Sequence, residues 1–284
     1  MKNGSFFVPR EQLLAFMNPA EMKSCDGVTV TWETDPTVAR RILPPPLELA
    51  DPEHPLVNAY VVNIREPTFA PWYMEAAIMM FCRYRDKQGV HLVNLQLTGP
   101  GANMGLCSGR ETSGLPKKLG ERIVVERTGD WAHASVVAKG RRIFDVELEL
   151  YPSDMPEAAA MAKAKCGAKE RSSCFQYLCD WDVDAMAFSR ARLLSYDSAT
   201  VYQTFEPAAI KSIVMEPSLD DPWAELSVVR PIAANYSVYS NPIDGVSVAA
   251  EFEGAEADKL FPYLFTGKWD RSTICRGHQR YGQF

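Results

Sequence analysis

The feature that most restricts this chain is a succession of short runs in which apolar and polar residues alternate between turn residues. The clearest is FDVELEL, residues 144–150. Phe144, Val146, Leu148 and Leu150 fall on one side, and Asp145, Glu147 and Glu149 on the other. A period of two belongs to a strand with one covered face and one wet face, not to a helix. Further strand runs are VTVTW (28–32), VNAYVVNI (57–64), AAIMMFCRY (76–84), HLVNLQL (91–97), RIVVER (122–127), AHASVVA (132–138), TVYQTF (200–205), AELSVV (224–229) and VSVAAEF (246–252). The turn KGRR (139–142) joins two of them as an antiparallel hairpin. Helices are few. DPTVARRIL (35–43) has Asp35 as its N-cap and Pro36 at its first position, and PPP (44–46) stops it. MPEAAAMAKAKCG (155–167) is alanine-rich and ends at Gly167, and AEADKLFPYLF (255–265) is bent or broken at Pro262. The pattern predicts an α+β, β-rich domain over residues 1–265, built on antiparallel sheet that closes in a barrel-like way, with peripheral helices. Residues 266–284 read as a polar C-terminal tail with no packed element.

Charge and cysteine usage narrow the function. Thirty Lys and Arg against 36 Asp and Glu give a net charge of -6, and no basic stripe offsets it, so nucleic acid is not an expected partner. No apolar run reaches transmembrane length and the first residues carry no signal-peptide core, so the expected setting is cytoplasmic, away from a membrane. Seven scattered cysteines fit free thiols in a reducing compartment. Cys174 and Cys179 have no histidine nearby, and no metal or other cofactor is expected.

Three stretches carry candidate chemistry. GPGANMG (99–105) is a poor dinucleotide-binding turn, because Pro100 interrupts it and LCSGRE does not open a clear helix; a connection between strands is the plainer reading. His54, His91, His133 and His278 stand apart, with no partner at a recognised spacing. GRETSGLPKKLGE (109–121) places Lys117 and Lys118 after a proline and between glycines. On local pattern alone such a pair is a solvated turn. A nucleophilic lysine must be uncharged, and an ordinary one, with a pKa near ~10.4, is neutral in about one copy in 2,500 at pH 7. Burial in an apolar pocket or a neighbouring cation relieves this, and Leu115, Leu119 and Lys118 could supply either.

The same stretch resembles the signature of acetoacetate decarboxylases, Gly-Arg-Glu, a spacer, then Pro-Lys-Lys-Leu-Gly. WETDPTVARRILPPPLEL (32–49) and, more weakly, DPWAELSVVRPIAANYSVYSNPIDGVSVAAEF (221–252) are also similar to that family. The resemblance implies a β-rich cone with outer helices, assembled as a homo-oligomer. It implies Lys117 as the Schiff-base nucleophile, Lys118 as its electrostatic neighbour and Glu75 as general acid and base. Desolvation is expected to outweigh Lys118, since adjacent residues on a chain often point apart. Arg110, Glu111, Ser113 and Leu115 are the pocket residues it carries over. Two positions depart from the family: its arginine falls on Cys25 and its second glutamate on Tyr60, whose hydroxyl could protonate a departing alcohol. The expected partner is therefore a small keto acid, with an aldehyde if aldol addition and dehydration replace decarboxylation. A non-catalytic carbonyl-binding protein with a relic lysine, and an interaction protein working through the tail, are the readings from other classes.

Overall fold

A computed structural model describes residues 5–12 and 20–273. In chain order its strands are β1 (Glu21–Glu33), β2 (Glu48–Leu49), β3 (Leu56–Pro67), β4 (Tyr73–Tyr84), β5 (Lys87–Thr98), β6 (Lys117–Leu119), β7 (Arg122–Thr128), β8 (Trp131–Ala138), β9 (Arg141–Leu150), β10 (Lys169–Asp182), β11 (Ala187–Val214) and β12 (Arg230–Glu253). The helices are α1 (Pro36–Ile42), α2 (Ala102–Ser113), α3 (Pro156–Lys165), α4 (Ala255–Asp258) and α5 (Phe261–Lys268).

The strands run in the order β10-β5-β4-β3-β1-β12-β11, and β11 pairs back onto β10, so the sheet closes on itself. β9, β8 and β7 continue from β11 as an antiparallel extension. The expected barrel is thus a ring of strands and not a regular barrel. The 28-residue β11 and 24-residue β12 carry register shifts along their pairing, and β10 meets β5 through the one pair Cys174–Val90. The FDVELEL alternation holds: Val146, Leu148 and Leu150 are buried while Glu147 and Glu149 are exposed. The hairpin turn is Lys139-Gly140, both at positive φ (49° and 69°), the backbone twist that a two-residue connection between strands requires. The main core stacks Trp32 on Phe144, with ring centroids 6.3 Å apart, and sets Phe144 against Trp223 at 5.7 Å.

Four local expectations change. Residues 224–229 are not a strand. A 3₁₀ turn, Trp223–Glu225, and an irregular segment cover the core there, tied down by Trp32 Nε1 donating to the Leu226 carbonyl and by Val229 N–H donating to Glu33 O. β10 was not expected, because its serines and charges mask the buried Phe175 and Tyr177. α2 occupies the segment read as a connection between strands. Residues 266–269 are not a loose tail: α5 runs to Lys268, which is buried, and Trp269 packs on Phe265 and Phe188. Residues 274–284 of the expected tail lie outside the described residues. Among the described residues the cysteines are free, and no helix is long and apolar enough to cross a membrane.

α1 begins as expected, with Asp35 Oδ1 accepting from Thr37 and Val38 N–H. Asp35→Ala should lower the unfolding free energy by about 1 kcal/mol, measured by urea denaturation, with no change in the cavity described next.

Candidate active site

The lysine motif is shaped by the helix before it. α2 ends on Gly114 at φ 68°, a left-handed cap, with Gly114 N–H donating to Arg110 O and Leu115 N–H donating to Gly109 O. The chain then turns through Pro116 into β6, which lies parallel to β5 with Leu95 beside Lys117, Gln96 beside Lys118 and Leu97 beside Leu119. On its other side β5 meets β4, with Leu97 opposite Glu75. Because side chains alternate along strands, Lys117, Leu95 and Glu75 share one face, while Lys118, Gln96 and Asn94 share the other.

The first face lines a cavity of about 990 Å³. At its inner end Lys117 Nζ lies 3.0 Å from Glu75 Oε2, both side chains almost wholly buried (5% and 3% exposed). Tyr60 donates its hydroxyl to the other oxygen, Glu75 Oε1, at 2.7 Å. Lys117 Nζ also lies 5.7 Å from the centre of the Tyr73 ring. The walls are apolar, among them Met79, Leu92, Leu95 and Leu115. The hydroxyls of Tyr60, Tyr73 and Tyr239 are all pushed well above the ordinary tyrosine value, first by burial and then by neighbouring acidic groups. Arg171 and Glu170 stand at the exposed mouth, where Arg171 pairs with Asp244.

The second face holds a buried polar knot. Lys118 Nζ donates to Asp220 O at 2.7 Å and to Asp221 Oδ1 at 3.1 Å, and sits 3.2 Å from Asp270. Asp221, fully buried, also accepts from Gln96 Nε2 at 2.8 Å and, through its other oxygen, from Lys139 Nζ at 3.1 Å. Asp270 is held below the ordinary aspartate value: burial opposes this, but the Lys139 hydrogen bond and the charges of Lys118 and Lys139 outweigh it. Its contribution to stability is therefore present above the ordinary aspartate pKa and is lost as pH falls through the lowered folded value.

Of the residues singled out in the sequence, Lys117, Glu75, Tyr60, Ser113 and Leu115 line the cavity together. Lys118 does not: its ammonium is engaged by carboxylates on the far face, so it anchors β6 and does not sit beside Lys117. Arg110 and Glu111 do not line it either. The Arg110 guanidinium lies over the Trp269 ring at 5.6 Å and Glu111 is exposed, because α2 turns that side outward. Cys25 is packed behind the tyrosines, its thiol pushed up to about 12 by burial first and by Glu75 second. His91 lies in the core, with Nδ1 2.9 Å from Phe175 O, and burial pushes it down to about 4. Tyr73, Met79, Gly109 and Tyr239 are cavity residues that sequence reading missed. Tyr73 had a usable signal, since it stands two residues before Glu75 on one strand and so shares its face.

Gly109 is fixed by close approach: a Cβ there would lie 2.8 Å from Lys117 Cδ and 2.9 Å from Cε. Gly109→Ala should push the lysine off Glu75 and cost about 1–3 kcal/mol of stability through overpacking, read by chemical denaturation. Asp221→Ala should cost about 3–5 kcal/mol of stability, since it leaves buried cations short of a partner; chemical denaturation measures it.

The sequence profile of the family described as acetoacetate decarboxylase (ADC) matches residues 7–252. A CLA biosynthesis isomerase of Lactiplantibacillus plantarum is 31% identical over 274 residues, covering 94% of this chain and 95% of that protein. The crystal structure of acetoacetate decarboxylase from Legionella pneumophila superposes with a TM-score of 0.70 at 17% identity, over 83% of this chain and 88% of that one. The enduracididine biosynthesis enzyme MppR, complexed with the condensation product of pyruvate and imidazole 4-carboxaldehyde, superposes with a TM-score of 0.60 at 16% identity, over 81% of this chain and 88% of that one.

Proposed function

The chain belongs to the acetoacetate decarboxylase family, and from that premise we propose that it is a Schiff-base enzyme in which Lys117 attacks a ketone and Glu75 moves the protons. The observation that carries this is the 3.0 Å contact between Lys117 Nζ and Glu75 Oε2 at the closed end of the cavity. Removing water from such a pair is costly and is hard to explain as a device for stability. In this reading the reacting pair carries one transferable proton. With that proton on Oε2, the nitrogen lone pair adds to the carbonyl carbon and the oxygen takes the proton from Glu75. Glu75 then takes a proton from the nitrogen and gives it to the hydroxyl, which leaves as water while the nitrogen pair forms the iminium. The carboxylate left behind is in place to remove a proton from the carbon next to the iminium, giving an enamine. Tyr60 fixes the carboxylate by binding its other oxygen.

Return of that proton to a different carbon favours an isomerase. If a C=C lies one carbon further along, Glu75 can deliver the proton to its far end, so that the double bond comes into conjugation with the iminium; water then frees Lys117. Two observations support this branch over decarboxylation. Among the described residues the charged ones of the cavity wall are Lys117, Glu75, Glu170 and Arg171, and the last two stand at the mouth. A carboxylate one carbon from the reacting carbonyl would thus meet Glu75 with no second cation among the described residues at that end. The relative that matches nearly the whole chain is named an isomerase. The cavity, at about 990 Å³, also reaches the top of the ~300–1,000 Å³ range typical of drug-sized ligands. A three- or four-carbon keto acid would fill little of it, so we assign the substrate a ketone carrying an apolar arm along Met79, Leu92 and Leu95. The second reading is aldol addition of a small keto acid to an aldehyde through the same enamine, which the MppR complex favours.

Borohydride reduction in the presence of 2-octanone, and separately of pyruvate, should leave an adduct on Lys117 detectable by mass spectrometry. An adduct on other lysines alone, or none, overturns the nucleophile. Glu75→Gln should slow exchange of the protons next to the carbonyl in heavy water by about 10²–10⁴-fold, read by NMR. Carbon dioxide release from acetoacetate at an enzymic rate would restore the decarboxylase branch.

A further inference from the structure

The cavity tyrosines differ in what their hydroxyls do. Tyr60 donates to Glu75, and Tyr196 donates to the Ser113 carbonyl at 2.6 Å. The Tyr73 hydroxyl is buried and has no hydrogen-bond partner among the described residues. The residue is buried and stands among those that line the cavity. An unpaired buried hydroxyl is destabilising, and proteins rarely keep one without a use.

Its position suggests the use. Tyr73 and Glu75 are two apart on β4 and share the cavity face, and Lys117 Nζ lies 5.7 Å from the Tyr73 ring centre. The ring is backed by α2, where a Cβ on Gly105 would stand 3.4 Å from Tyr73 Cζ, so the side chain has little room to turn away. We propose that the Tyr73 hydroxyl is the hydrogen-bond donor to the carbonyl oxygen of the substrate as Lys117 adds to the carbonyl carbon. The step rests on the Schiff-base reading for its chemistry. As the nitrogen–carbon bond forms, the carbonyl π pair moves onto oxygen, and a donor held there in advance stabilises that developing charge. Tyr73 keeps its own proton throughout; the protons that make water come from the Lys117–Glu75 pair. Burial, which pushes its hydroxyl well above the ordinary value, suits a group that donates without ionising. Tyr60, expected to protonate a departing alcohol, is instead engaged by Glu75.

Tyr73→Phe tests this. Adduct formation with 2-octanone and borohydride should slow by about 10²–10³-fold, while the melting temperature stays level or rises, since the change removes an unpaired polar group. A rate within about threefold of the unmodified protein overturns the proposal, and so does a slower rate accompanied by a lower melting temperature, which would assign the residue to packing. A second measurement does not need the covalent step. In the Lys117→Met protein, the carbonyl ¹³C resonance of bound, labelled 2-octanone should lie downfield with Tyr73 and lose that shift with Tyr73→Phe. An unchanged resonance, or a ketone that does not enter the cavity, overturns the contact. Loss of the shift in a protein whose Lys117 is never trapped would uphold the contact while removing the Schiff-base reading.

Discussion

A lysine and a glutamate that meet at 3.0 Å, both almost wholly buried, are the constraint around which this molecule is organised. Two apolar residues in their place would be at least as stable. Everything near the pair serves to hold it: Tyr60 takes one carboxylate oxygen, the Gly109 backbone leaves room for the lysine stem, and the left-handed Gly114 turns the chain so that β6 starts where it must.

β5 and β6 divide the labour by alternation. One face carries Leu95 and Lys117 into the cavity. The other carries Gln96 and Lys118 into Asp221. The paired lysines are therefore two different devices at adjacent positions. One amine faces the cavity, and the other fastens the strand that carries both. A like charge beside Lys117 is not what the structure provides.

Much of this could be read beforehand, and the parts that could not have physical causes. Strands with one covered face, such as 144–150, announce themselves through a period of two, and Asp35-Pro36 announces a helix start. The resemblance around residues 109–121 singled out Lys117 and carried Glu75 with it, and the fold brings the two together. α2 was hidden because Gly105 and Gly109 depress helix propensity, yet these residues let the helix approach Tyr73 and Lys117. β10 was hidden because serines and charges break up its apolar residues, although it pairs as a hairpin with the β11 that follows it. The segment 224–229 alternates like a strand, but its backbone bonds go to Trp32 and Glu33 one at a time and form no ladder. Residues 266–270 look polar by composition, and only the fold shows that Lys268 donates to the Tyr177 carbonyl and Asp270 closes the knot.

That knot joins distant parts of the chain. Lys118 reaches Asp221 across 103 positions, and Lys139 reaches Asp270 across 131. During synthesis the lysine motif leaves the ribosome long before the carboxylates that will clamp it from behind. The ring can start to zip from its early strands, but Lys118, and with it the short strand that carries Lys117, has no anchor until nearly the whole described chain has been made.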